Sequence, residues 1–283
     1  MAELTVTGAS GVRLAVFTEG APTTPPVLLV HGYPDTHEVW DPVARLLAER
    51  HFVIRYDVRG AGASGAPRGV RQYRLTHLAD DIFAVIAATS PDRAVLMVGH
   101  DWGSIQSWEA ATDPRAVGRI AGYTTVSGPC LDHVGHWVRR KDRGGSGQLR
   151  RSWYIFAFHV PGLPTLVGRL LARQGLQFRG TTAGVAPTLR TDAVTGTRLY
   201  RANMVPRLLR PRERVATVPV QLVTLTQDRF VTPAVAGDGL ERWVPSLRRD
   251  DLAAGHWSAL HTHSAALVDL IEAFETDVRA RPA

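Results

Sequence analysis

Short apolar runs alternate with helix-length segments through the first half of the chain, and this alternation constrains the fold more than any other feature. Val27-Leu-Leu-Val30 leads into His31-Gly32, and Thr36–Glu49 then spaces Val39, Trp40, Val43, Leu46 and Leu47 as a helix does. Phe52–Tyr56 is a second run, closed by Asp57-Val-Arg-Gly60-Ala-Gly62. Leu78–Ala88 reads as an amphipathic helix, Ala94–Val98 as a buried strand, Gly103–Ala111 as a helix and Ile120–Val126 as a strand. Apolar strands separated by helices predict a mostly parallel sheet covered on both faces. The rhythm stops after Pro129. Residues 131–216 are basic, aromatic-rich early and Gly/Thr-rich near Gly180–Gly184, and read as an inserted helical lid. Alternation resumes with a strand at Val218–Leu225 and closes with an amphipathic helix over Ser264–Val278. The expected organisation is an α/β core over 1–130 and 217–283 with a lid over 131–216.

Composition narrows the function classes. A chain of 283 residues, 45% hydrophobic, can bury a large core, and its 21% charged residues argue against disorder. The single cysteine, Cys130, excludes an intramolecular disulfide and a cysteine-rich zinc site. His37, His51, His77, His133, His136, His261 and His263 have no metal-ligand spacing, so no metal is expected. The start carries no basic n-region before an apolar stretch, and no apolar run has the length of a membrane span. A cytoplasmic, membrane-free protein is the expectation. The net charge of +7 has an address: residues 131–216 carry fifteen Arg and Lys141 against four acids, a balance of +12, which leaves −5 elsewhere. A GC-rich coding sequence explains arginine usage in general. Without a recognised nucleic-acid motif, the lid's charge suits attraction of an anionic substrate or docking onto the acidic core.

The motif richest in chemistry is Gly99-His100-Asp101-Trp102-Gly103, set between a strand and a helix. It has the Gly-x-nucleophile-x-Gly form of a nucleophile elbow, with Asp in the nucleophile position. A tight turn whose Asp caps a helix is the competing reading. His31-Gly32-Tyr33 follows an earlier strand, where the Tyr33 N–H pairs with that of Trp102 as an oxyanion hole. Asp228 lies just past a later strand, and His256 in the loop before the final helix. The order Asp101, Asp228, His256 is nucleophile, acid, base. Asp132 is the fallback acid.

With His-Gly-Tyr-Pro-Asp, Asp57-Val-Arg-Gly, Gly-His-Asp-Trp-Gly and Gly-His-Trp in register, the sequence resembles the epoxide hydrolases of the α/β-hydrolase superfamily. It is particularly similar to actinobacterial forms in which such a domain precedes a short-chain dehydrogenase domain. No dinucleotide-binding fingerprint occurs here, so that second domain is not expected in this chain. The resemblance implies an α/β-hydrolase fold, no cofactor, and Asp101 attacking an sp³ carbon to form an ester that His256 and water hydrolyse. It also implies two lid tyrosines donating to the epoxide oxygen. Ser152-Trp-Tyr154-Ile-Phe-Ala-Phe-His-Val-Pro161 resembles the first lid helix and places Tyr154 there. Leu199-Tyr200-Arg201-Ala-Asn203 resembles the second motif and places Tyr200 there. Arg198-Leu199 replaces the family's Asn-Trp pair, and His159 stands where Gln is common.

Tyrosines that merely pack a lid are the simpler alternative for each position taken alone. Trp153, Phe156 and Phe158 either line the pocket or pack that helix, with Trp153 and Phe158 the substrate-pocket candidates. Trp40, Trp108, Trp243 and Phe274 are expected in the core, His31 in the oxyanion loop and His100 against the elbow. The expected partners are a small-molecule epoxide and water, with a homodimer left open and no nucleic acid or membrane. A haloalkane dehalogenase would use the same nucleophile, but Tyr33 replaces one typical halide donor. A non-catalytic ligand-binding relative would not need all three triad groups.

Overall fold

The computed structural model describes residues 1–139, 166 and 186–280. Its framework is an eight-stranded sheet in the order β1-β2-β4-β3-β5-β6-β7-β8. The strands are β1 (Ala2–Thr7), β2 (Arg13–Glu19), β3 (Pro26–Val30), β4 (Phe52–Tyr56), β5 (Val95–His100), β6 (Ile120–Val126), β7 (Val220–Leu225) and β8 (Leu247–Leu252). The pairs β1/β2 and β2/β4 are antiparallel, and every other pair is parallel.

Helices cover both faces because successive strand residues point to opposite sides. Leu28 and Val30 of β3 join one core with Ile54, Met97 and Ile82 of α2 (Leu75–Thr89). Val27 and Leu29 join the other with Val43 and Leu47 of α1 (Asp41–Leu47) and the last helix. Fully burying one such aliphatic side chain is worth about 1.5–3 kcal/mol, so these two layers fix the sheet position. Trp40, Trp108, Trp243 and Phe274 all lie in these cores, as expected.

Between β5 and β6 runs α3 (Trp102–Ala111), and α4 (Leu131–Val138) follows β6. A long helix, α5 (Leu189–Leu209), returns the chain towards β7. The short α6 (Pro233–Gly237) follows β7, and α7 (Ser264–Arg279) ends the fold. The described parts of the 131–216 segment thus include two helices, with residues 210–216 running outside them. Leu199, Tyr200 and Met204 of α5 pack on Tyr73, Leu78, Trp102 and Ile105, forming a third apolar cluster. Asn203 pins this helix: its Nδ2 donates to the Tyr73 and Leu199 carbonyls, both at 2.8 Å, and its Oδ1 accepts from the Leu75 N–H at 2.9 Å.

The parallel core matches the expectation, with three differences. The single helix expected over Thr36–Glu49 divides into a 3₁₀ turn at His37–Trp40 and α1, with Pro42 in the first turn of α1. Strand β5 runs on through Gly99 and His100, so the elbow motif begins inside the sheet. The strands β1 and β8 carry no apolar run that announces them, and the short Leu14–Phe17 run of β2 was not singled out from the sequence. Along β8, Leu-Arg-Arg-Asp-Asp-Leu, the charges pair instead with Asp277 and Glu241, as suits an edge strand.

Candidate active site

The C-terminal ends of the parallel strands assemble the site, where α/β sheets gather their functional loops. Asp101 sits between β5 and α3 with φ 52 and ψ −125, a conformation that costs a non-glycine residue of order 1–3 kcal/mol. The glycines around it leave no room for side chains. A Cβ on Gly103 would lie 2.0 Å from the Val30 carbonyl oxygen, and one on Gly99 would lie 2.6 Å from Ser104 Cα. Although Asp101 occupies the N-cap position of α3, its side chain makes no capping hydrogen bond, which sets aside the helix-cap reading.

The carboxylate of Asp101 faces two ways. Its Oδ1 accepts the Tyr33 N–H at 2.8 Å, and the nearby Trp102 N–H favours the charged form of the carboxylate. Its Oδ2 lies 3.7 Å from His256 Nε2, an ion-pair distance rather than a hydrogen bond. On the far side of the ring, His256 Nδ1 donates to Asp228 Oδ2 at 2.8 Å. Burial pushes Asp101 up to about 6 against the opposing pull of His256 and the two backbone donors. Burial would also raise Asp228, but hydrogen bonds from His256 and Ser127 and the charge of His256 bring it down to about 2. For His256 burial works against the charged form, yet the Asp228 bond and the Asp228 and Asp101 charges raise its proton affinity.

All five of Asp101, Asp228, His256, Tyr33 and Trp102 therefore converge. The Tyr200 ring lies edge-on to Trp102 and Tyr33, with centroids 4.8 and 5.4 Å apart, so α5 delivers it beside the two backbone donors. Tyr154, Trp153 and Phe158 lie outside the described residues. Asp132 is not the carboxylate on His256, whose Nδ1 bonds Asp228. It binds Arg207 at 2.8 Å and the Arg212 N–H at 2.9 Å. His31 ties the loop that carries Tyr33, with Nε2 accepting from the Val58 N–H at 3.0 Å. His100 packs 4.5 Å from the His256 ring and bonds the His256 carbonyl.

Three contributors were not singled out from the sequence. Ser127 Oγ donates to Asp228 Oδ2 at 2.5 Å. Trp257 stands edge-on to His256 at 4.7 Å and donates its indole N–H to the buried Asp35 carboxylate at 2.9 Å. The Tyr33 hydroxyl donates to the Ala193 carbonyl of α5 at 2.8 Å. Asp35 and Trp257 were visible as parts of motifs, whereas Ser127 carried no signal. A separate cleft beside α4, lined by His133, Trp137, Asp238 and Trp243, contains no triad residue. Among the described residues no group of His, Cys, Asp and Glu is arranged to hold a metal ion, and no helix is long and apolar enough to cross a membrane.

A family model described as alpha/beta hydrolase fold matches residues 25–261. The chain belongs to the α/β-hydrolase family. Asp101, Asp228 and His256 lie in loops at the C-terminal ends of its parallel strands or just before its last helix, where α/β sheets gather functional loops. Mycobacterium tuberculosis has a relative named Probable oxidoreductase EphD, 38% identical over 278 residues, which cover 88% of this chain and 45% of that protein. Epoxide hydrolase A of the same organism is 32% identical over 155 residues, 54% of this chain and 47% of that one. The chain spans about half the length of these relatives. Among solved structures, a mutant epoxide hydrolase from Bacillus megaterium in complex with its diol product superposes with a TM-score of 0.79 at 21% identity, covering 96% of this chain and all of that one. A Salmonella enterica protein named Putative Acyltransferase superposes with a TM-score of 0.78 at 20% identity, over 98% of this chain and 95% of that one. Overall shape within the family therefore does not choose the reaction.

Proposed function

We propose that this α/β-hydrolase opens an epoxide to a vicinal diol through an ester on Asp101. The observation that carries the reading is the two-sided Asp101 carboxylate, with one oxygen held by the Tyr33 N–H and the other turned towards His256. A serine nucleophile needs a base to remove its proton, whereas an ionised carboxylate attacks directly. Asp101 Oδ2 attacks an epoxide carbon, the C–O bond breaks, and its electron pair goes to the epoxide oxygen. Tyr200 gives that oxygen a proton, with Tyr154 as the second donor implied by the sequence. His256 Nε2 then takes a proton from water, which attacks the ester carbonyl carbon. The negative charge develops on Oδ1, already within reach of the backbone donors. Collapse frees the diol and restores the carboxylate, and the proton on His256 returns to the tyrosine.

Similarity to proteins named epoxide hydrolases and the position of Tyr200 against the oxyanion loop support the epoxide over other electrophiles. Incubation with styrene oxide, fatty-acid epoxides and matched alkyl bromides tests it. Diol from an epoxide without bromide release is expected. Release of bromide with no diol would instead make the chain a dehalogenase. The Tyr200→Phe variant should lose about 10- to 100-fold in epoxide opening, since general acids contribute on that scale or above. An unchanged rate would remove Tyr200 from the reaction.

A further inference from the structure

Strand β6 ends in a turn that touches both halves of the proposed catalytic apparatus. Ser127, the first residue past the strand, has φ 51, a left-handed conformation that serine seldom adopts. Its hydroxyl donates to Asp228 Oδ2, the same oxygen that accepts His256 Nδ1–H. The next residue, Gly128, lies under the elbow: a Cβ there would sit 2.2 Å from the Asp101 carbonyl oxygen. The Gly128 carbonyl in turn accepts Ser104 Oγ at 2.7 Å and Trp108 Nε1 at 3.1 Å, both from α3. One step earlier, the Val126 carbonyl accepts the Asp101 N–H at 3.1 Å.

We propose that Ser127 is a positioning residue that sets the basicity of His256 by sharing the Asp228 oxygen on which the imidazole depends. The other oxygen, Oδ1, is taken by the Phe230 and Val231 N–H groups at 2.6 and 3.1 Å, so the carboxylate cannot rotate to offer His256 a different lone pair. A donor on Oδ2 withdraws negative charge from that oxygen and weakens its hold on a protonated ring. Among the described residues, Asp101 from the elbow, Asp35 from the loop after β3 and His100 at the end of β5 also act on His256. Among the described residues the Ser127 hydroxyl bonds Asp228 and none of these three, so removing it acts on His256 through the Asp228 arm. With the donor gone, Asp228 becomes more basic, His256 holds its proton to higher pH, and the neutral base needed for ester hydrolysis appears later.

The inference rests on the ester pathway proposed above, and rapid-quench kinetics with styrene oxide separate the two. Ester formation and ester hydrolysis are timed across pH 5.5–9 in the wild type, Ser127→Ala and Ser127→Gly. The acidic limb of ester hydrolysis should move upward by about half a pH unit to one unit in both variants, while ester formation stays within about twofold. Glycine relieves the left-handed backbone and alanine does not, so a shared shift assigns the effect to the hydroxyl. A limb that stays in place in either variant overturns the assignment, whether or not the rate falls. So does an equal slowing of both steps, which marks a purely structural role. Failure to trap any ester in His256→Gln refutes the pathway itself, and the role of Ser127 with it.

Discussion

Replacing Asp101 by asparagine removes a charge that the fold holds against its own preference. The carboxyl is raised from the ordinary 3.8 to about 6 by burial, despite His256 and two backbone donors that favour the anion. A difference of about two units at 1.36 kcal/mol each sets a ceiling near 3 kcal/mol for what the ionised group costs the folded state. With 18% of the side chain still open to solvent, about 2 kcal/mol is the working figure. The sign follows from linkage. A carboxylate whose folded value is raised stabilises the fold fully only below the unfolded value, and that contribution is lost as pH rises through about 6. Asp101→Asn should therefore be more stable than the wild type at pH 8, with a thermal midpoint about 4 °C higher or more, and equal to it near pH 4. Its carboxamide oxygen can still accept from Tyr33 and Trp102, so the oxyanion loop is retained. Urea unfolding at pH 4.5, 6 and 8 measures the profile. A gain that is the same at every pH, or a loss at pH 8, would refute the electrostatic account and leave backbone strain as the site's main cost.

Ester formation should fall as pH drops through about 6, since the nucleophile protonates there, and the pH dependence of the first turnover reads this limb. Gly196→Ala would place a Cβ 2.4 Å from the Tyr33 ring and displace the loop whose N–H holds Asp101 Oδ1. Quench kinetics should show ester hydrolysis slowed by about 10- to 100-fold, in keeping with a misplaced oxyanion donor. Arg207→Met should cost about 3–5 kcal/mol in urea unfolding, because the buried Glu109 and Asp132 carboxylates would share Arg214 as their one remaining guanidinium partner among the described residues.

The sequence displays the candidate site's skeleton because Asp101, Asp228 and His256 each follow an apolar strand or precede the final helix, and the glycines of the elbow are required by close packing. The parallel strands were legible for the same reason: burial on both faces leaves unbroken apolar runs. Strand β8 was not, since an edge strand offers one face to solvent and satisfies Arg248 and Arg249 with acids beyond the strand. Nor was Ser127, whose importance comes from a left-handed turn and a partner 101 residues away. The basic segment shows both kinds of legibility. Its charge was evident, but only the folded chain shows that Arg207 and Arg214 pair with Glu109 of α3, at 2.8 and 2.6 Å. Docking onto the acidic core thus accounts for these two arginines. Likewise Tyr33 was chosen for its backbone N–H, whereas its hydroxyl, clasping α5, depends on tertiary packing.

The central claim is that the Asp101 carboxylate becomes an ester. Intact-mass measurement of His256→Gln after incubation with styrene oxide tests it most directly, followed by peptide mapping. The account predicts a gain equal to one molecule of epoxide, located on the peptide containing Asp101 and absent from Asp101→Ala. No adduct in His256→Gln, together with turnover retained in Asp101→Ala, would contradict it.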